Sequence, residues 1–146
     1  MSIAIGSDHA GYTLKQEICN YFDQQNIEYT DYGTESPDRV DYPDFGIKVA
    51  KQVVAGSHNV GIIICGTGIG ISISANKVKG ARAALCCSDY MAEMARKHNN
   101  ANILALGGRT TTIDYALRMI HIFLNTEFEG GRHGNRVDKI HSLTGR

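Results

Sequence analysis

The chain has 146 residues, 42% of them hydrophobic and 21% charged, enough for one domain whose core needs no disulfide or metal staple. Fifteen Lys and Arg balance fifteen Asp and Glu, so no overall field draws the chain to nucleic acid or to an anionic membrane. Any anion it binds must be held by a local cluster.

Met1-Ser2-Ile3-Ala4-Ile5-Gly6 has no basic flank and too short an apolar run to read as a secretion signal. Ile3 to Gly6 ends in turn residues and predicts the first strand. Leu14, Ile18, Tyr21 and Phe22 then repeat at helical spacing. Glu28 to Tyr32 is rich in strand formers, and Gly33 to Asp44 reads as a polar loop holding both prolines, Pro37 and Pro43. Phe45, Val49 and Val53 mark a second helix, closed by Gly56. Val60 to Cys65 is nearly all apolar, which suits a strand buried on both faces of a parallel sheet. A glycine-rich turn follows, then a helical stretch to about Lys79. The apolar segment from Val60 to Ala75 is broken by glycines, Thr67 and serines, and is too short to cross a bilayer. Ala81 to Cys86 predicts a fourth strand, Ser88 to about His98 a helix capped by Ser88, and Ile103 to Leu106 a fifth strand. Ile113, Ala116, Leu117, Ile120, Phe123 and Leu124 give the clearest amphipathic helix. From Phe128 the chain is polar, and it ends in a short helix from about Asn135.

Strand and helix alternate through five βα units without a repeat or a linker-like stretch, so residues 1–146 read as a single domain. The prediction is an α/β, Rossmann-like three-layer αβα sandwich with a five-stranded parallel sheet and a C-terminal arm over about residues 128–146. Ligands of such sheets sit beyond the carboxyl ends of the strands. The turns after strands one, three and five are therefore where chemistry is expected.

The turn after strand three reads Cys65-Gly66-Thr67-Gly68-Ile69-Gly70-Ile71-Ser72. Its glycines let backbone approach a ligand closely, and a helix N-terminus there offers N–H groups to an anion, either a phosphate or a developing oxyanion. The G-x-G-x-G spacing after the third strand, with no acidic residue ending strand four, excludes a dinucleotide fingerprint, and no Lys-Ser/Thr pair makes it a P-loop. Cys65 ends the most buried strand. A cysteine in such a place is most often a small core hydrophobe, but beside a helix N-terminus a thiol pKa of about 8.5 is expected to fall, freeing a thiolate as base or nucleophile. Cys19, Cys86 and Cys87 keep the core or structural role; none of the cysteines has metal-like or C-x-x-C spacing, and reduced thiols point to the cytoplasm.

Asp8 and His9 follow strand one, where Asp8 can cap the next helix and His9 can meet an anion. Arg109 follows Gly107-Gly108 at the end of strand five, on the same edge as Cys65 and Asp8. Arg132 and Arg136 share a face if the tail is helical; a solvated basic tail is the plainer reading, yet guanidinium forks suit phosphate. His98-Asn99-Asn100 reads as a polar helix stop, and His58, His121 and His141 carry no assigned role.

The motifs Gly6-Ser7-Asp8-His9-Ala10-Gly11, Asp41-Tyr42-Pro43, Cys65-Gly66-Thr67-Gly68-Ile69-Gly70, His98-Asn99, Gly108-Arg109 and Gly130-Gly131-Arg132 with Arg136 together resemble the type B ribose-5-phosphate isomerases, in that family's order and over nearly the whole chain. The resemblance implies an aldose–ketose isomerase of the non-oxidative pentose phosphate pathway. It would interconvert ribose 5-phosphate and ribulose 5-phosphate through a cis-enediolate, with no cofactor and no metal. It implies Cys65 as the base, placing the chain in the branch that uses cysteine rather than glutamate. His98 would open the furanose ring, and Thr67 with Gly66, Gly68, Ile69 and Gly70 would face the enediolate oxygens. Asp8, Asn99 and Tyr42 would bind the sugar, and His9, Arg109, Arg132 and Arg136 the phosphate. The last two would come from the partner of a homodimer, with a tetramer left open. The nearest rival is the same chemistry on allose 6-phosphate or galactose 6-phosphate. An idle phosphosugar-binding module on the same fold would have no need of Cys65 and His98 together.

Overall fold

The computed structural model describes residues 1–145. Its elements run β1 (Ile3–Ser7), α1 (Tyr12–Gln24), β2 (Tyr29–Asp31), α2 (Tyr42–Val54), β3 (Val60–Cys65), α3 (Ile69–Ala75), β4 (Ala83–Leu85), α4 (Asp89–Asn99), β5 (Ile103–Gly107), α5 (Ile113–Asn125) and α6 (Arg132–Thr144). The strands form one parallel sheet in the order β2-β1-β3-β5-β4. Every residue of β1, β3 and β5 is buried, as their unbroken apolar runs require at the centre of a sheet covered on both faces.

Successive side chains of a strand point to opposite faces, and the core divides accordingly. Ile5, Ile62, Ile64 and Leu104 pack with α1, α4 and α5 on one face. Ala4, Ile63, Cys65 and Ala105 pack with Val49 of α2 and Ile71 of α3 on the other. This is the expected three-layer α/β sandwich. The chain steps from β1 outward to β2, then returns to place β3 on the other side of β1, so the crevice between β1 and β3 is a topological switch point. The carboxyl edge there is level, with Ser7 opposite Ile64 and Cys65 opposite Gly107.

Four boundaries differ from expectation. Helix α2 begins at Tyr42, so Pro43 stands in its first turn, where a missing N–H is harmless. Helix α3 ends at Ala75 rather than near Lys79, because the Asn76 side chain leaves the helix to bridge β4. Its Nδ2 donates to the Ala83 carbonyl at 2.9 Å and its Oδ1 accepts from the Ala83 N–H at 2.8 Å. Strand β4 is correspondingly three residues long. The tail is not a short helix from Asn135: α6 spans 13 residues from Arg132. It packs on α4 through His133 and Val137, 6% and 7% exposed, so the tail does have a core to join.

Candidate active site

Three loops meet at the carboxyl edge, knitted by bonds that continue the sheet past the strand ends. The Asp8 N–H donates to the Ile64 carbonyl at 3.1 Å, the Gly108 N–H to that of Cys65 at 2.8 Å, and the Arg109 N–H to that of Gly66 at 3.0 Å. Asp8 does not cap α1 directly. Its Oδ1 instead accepts the Ala10 and Gly11 N–H groups at 2.9 and 3.0 Å, fixing the turn ahead of that helix. His9 Nδ1 lies 3.1 Å from the Val40 carbonyl oxygen and 3.3 Å from its nitrogen. The loop before α2 is thereby pinned to the site whichever tautomer is present.

Cys65 is 4% exposed, and its Sγ accepts the Gly68 N–H at 3.2 Å. Gly68 makes that contact possible. Its φ of 78° lies in the left-handed region, and a Cβ there would stand 2.5 Å from Leu85 Cδ1 and 2.9 Å from the Leu106 carbonyl carbon. The exposed Thr67 accepts the Ile69 N–H at 3.3 Å through Oγ1. The Tyr42 ring covers Gly70, whose added Cβ would meet Cζ at 2.6 Å, and the Arg109 guanidinium lies 3.6 Å from the same point built on Gly66. Asp8, His9, Tyr42, Cys65, Arg109 and the Gly66–Gly70 loop thus surround one corner. The other buried thiols are poor candidates for chemistry. Burial, with Asp31 nearby, pushes Cys19 up to about 11, and burial pushes Cys86 up to about 12.

The remaining predicted residues lie elsewhere. His98 and Asn99 are the last two residues of α4 rather than a stop beyond it, and the left-handed Asn100 ends the helix. They precede β5 and so stand at the amino edge of the sheet. Cys65 pairs with Gly107 at the far end of that strand, four residues on from Ile103, or at least about 13 Å at roughly 3.3 Å per residue. Helix α6 lies along the same amino edge, bringing Arg132 and Arg136 with it. Their charges, with that of His98, act on His133. The His98 and His133 rings stack flat, with centroids 4.1 Å apart and planes 3° from parallel. Desolvation holds the His133 pKa below the usual histidine value, helped by the neighbouring His98, Arg132 and Arg136 and opposed by Glu129, whose Oε2 lies 3.6 Å from His133 Nε2. The sequence reading assigned His133 no role. Its one signal is a histidine between two arginines, a helical turn after a glutamate.

Among the described residues, donor atoms of His98, Glu129 and His133 lie within 4.8 Å of one another. Parallel imidazoles aim their in-plane lone pairs side by side rather than at a common point, and two guanidiniums stand close by. That is poor geometry for a divalent cation.

The model of the Ribose/Galactose Isomerase family matches residues 3–140. The chain belongs to that family. Its relatives include ribose-5-phosphate isomerase B of Escherichia coli (strain K12), 43% identical over 144 residues that cover 99% of this chain and 97% of that one. A putative sugar phosphate isomerase of Bacillus subtilis (strain 168) is 49% identical, covering 96% and 95%. Among solved structures, ribose-5-phosphate isomerase B of Clostridium thermocellum superposes with a TM-score of 0.96 at 55% identity, over 98% of this chain and 97% of that one. The Mycoplasma genitalium family member, solved with bound ribulose-5-phosphate, gives 0.93 at 43% identity over 99% and 97%.

Proposed function

We propose that the chain interconverts ribose 5-phosphate and ribulose 5-phosphate through a cis-enediolate, as a metal-free step of pentose phosphate metabolism in the cytoplasm. The observation that carries the chemistry is the Cys65 corner: a thiol at the end of the central strand, oriented by the Gly68 N–H and facing a glycine loop between Asp8, His9 and Arg109. The thiolate takes the proton from C2 of the open-chain aldose and returns it to C1, while the hydroxyl proton passes from O2 to O1, so that the carbonyl moves from C1 to C2. Such protons are weakly acidic, so the charge gathering on oxygen must meet fixed donors. Thr67 and the loop N–H groups supply them, each worth about 3 kcal/mol by analogy with other oxyanion sites. A positioned acid or base adds about 10²–10⁴ in rate. The phosphate, remote from the reacting carbons, is gripped by His9 and Arg109, and its binding energy holds the sugar in register.

The residues of the amino edge cannot reach that corner within one chain. We assign His98, Asn99, Arg132 and Arg136 to the site of a second copy in a homodimer, where each subunit completes the other. This moves His98 and Asn99 to the partner side, beyond the two arginines that the resemblance placed there. His98 delivers a proton to the ring oxygen as the C1–O bond of the furanose breaks, and the anomeric hydroxyl passes its own proton to solvent water as it becomes the carbonyl. Exposed apolar side chains support a second copy: Ile69 and Ile73 on α3 and Ile140 and Leu143 on α6 are 52%, 56%, 50% and 75% exposed. Between β4 and α6 runs a groove of about 370 Å³, lined in part by Arg82, Ala84, Asn99 and Ile140.

The test compares ribose 5-phosphate, allose 6-phosphate and galactose 6-phosphate on purified protein in excess EDTA. Preference for the pentose with undiminished activity is expected. Preference for a hexose phosphate would reassign the substrate, and loss on chelation restored by a divalent ion would overturn the metal-free mechanism.

A further inference from the structure

We infer that His133 is a positioning residue for ring opening: its imidazole, lying flat on His98 with the Glu129 carboxylate 3.6 Å from its far nitrogen, fixes the orientation from which His98 hands a proton to the sugar. The inference rests on the role of His98 proposed above. A group that moves a proton must be held within about half an ångström of its working geometry. His98 stands in the last turn of a helix that ends in a left-handed residue, a place with little to restrain a side chain. Among the described residues no hydrogen bond reaches its ring nitrogens, and the stack at 4.1 Å is what orients it.

The supporting ring is itself anchored. His133 is 6% exposed, its backbone N–H donates to the Gly130 carbonyl at 3.0 Å, and the Glu129 backbone N–H donates to the Lys97 carbonyl at 3.1 Å. The carboxylate that meets His133 is thereby tied back to the residue before His98. The stack also carries a charge rule. Two parallel imidazoles tolerate one proton between them far better than two, because like charges that close repel. The groups that act on His133 are His98 on α4, Glu129 in the approach loop, and Arg132 and Arg136 on α6, while Lys97 on α4 acts on Glu129. Desolvation first, then His98, Arg132 and Arg136, disfavour a proton on His133, with Glu129 opposing them. Because His133 lies between Arg132 and Arg136, the ring that orients His98 and the groups that hold the phosphate ride on one element, α6.

The experiment separates ring opening from proton transfer. Ribulose 5-phosphate cannot close to a furanose, since its 5-oxygen is esterified. Wash-in of solvent deuterium at its C1 therefore reads the enediolate step alone. His133→Ala is expected to lower turnover of ribose 5-phosphate by about 10- to 100-fold, as loss of an orienting outer partner does elsewhere, while wash-in changes by less than about twofold. His133→Phe, which keeps a flat ring of similar volume, is expected to restore part of the loss, and it carries the comparison if the alanine variant fails to fold. His98→Asn/His133→Ala is expected to be no slower than His98→Asn alone. Equal losses in both assays, multiplied losses in the double variant, or full activity of His133→Ala beside a crippled His98→Asn would each overturn the stack's role. A harmless His98→Asn would remove the role of His98 and this inference with it. Wild-type turnover that falls on chelation and returns with Zn²⁺ would make the trio a metal centre and overturn it as well.

Discussion

Cys65 and Cys87 differ in what surrounds them more than in what they are. Cys87 is exposed and Cys65 is buried, so a thiol reagent finds Cys87 first. In a Cys87→Ser background, iodoacetamide is expected to label Cys65 before the others and substrate to slow the labelling, because Cys19 and Cys86, pushed up to about 11 and about 12, stay protonated at neutral pH. Cys65→Ala is expected to lower kcat by at least about 100-fold with KM little changed; a nearly active variant would remove the base from the mechanism. His133 gives a stability prediction. Its folded pKa lies below the unfolded one, so the unfolded chain takes up the proton first, and this contribution is complete above about pH 6.5 and lost as pH falls through the folded value. The denaturation midpoint of the wild type is expected to fall more between pH 7 and pH 5 than that of His133→Gln. Parallel curves would show that His133 does not titrate on unfolding. Cys65, His9 and Arg109 were legible as a group because the doubly wound rule sends strand ends to one edge. The His98–His133 stack was not, since nothing local in the sequence says that the tail turns back onto α4.

At the scale of elements, the apolar runs and the 3.6-residue period located β3 and α5 closely. The reading failed where side chains replace backbone in the accounting. Asn76 ends α3 by bonding to both backbone groups of Ala83, a choice that no periodicity reveals. Lys15 is fully buried in α1 and pairs with Asp31, although lysine at a helical position reads as solvent-facing. The partner arrives only when β2 pairs with β1, and the other Asp31 oxygen accepts the Gly33 N–H at 2.8 Å. Helix α6 was shortened because its buried side is one histidine and one valine rather than an apolar stripe. The α3 turn permits a sharp test. Gly68→Ala places a methyl against Leu85 and the Leu106 backbone at a φ of 78°, and about 1–3 kcal/mol of stability is expected to be lost. Activity of the folded fraction is expected to fall as well, because the N–H moves off the Cys65 sulfur. Full activity in the folded variant would mean that this contact does not serve the chemistry.

For the whole molecule the decisive fact is that the residues proposed for the site divide between the two edges of one sheet. Much of that division was already in the chain order. A residue just after a strand of a parallel sheet stands at the carboxyl edge, and one just before a strand stands at the amino edge. Cys65 is of the first kind and His98 of the second, so no folding of a single chain on this plan sets them side by side. A second copy can, and mixing tests it. Cys65→Ala and His98→Asn are each expected to be nearly inactive on ribose 5-phosphate alone. When the two are mixed under conditions that exchange subunits, a mixed dimer gathers both lesions in one site and leaves the other intact. Random exchange makes half the dimers mixed with one good site of two, so about a quarter of wild-type activity is expected to return. Cys65→Ala with Arg136→Ala is expected to behave alike, since Arg136 rides on the same edge as His98. If either residue served its own chain, every site in the mixture would keep a lesion and no activity would return. Exchange is verified separately by pull-down of differently tagged chains. With exchange established, recovery by the arginine pair but not the histidine pair would place His98 in its own subunit's site, against the geometry of the sheet. Recovery by neither would remove the shared site altogether.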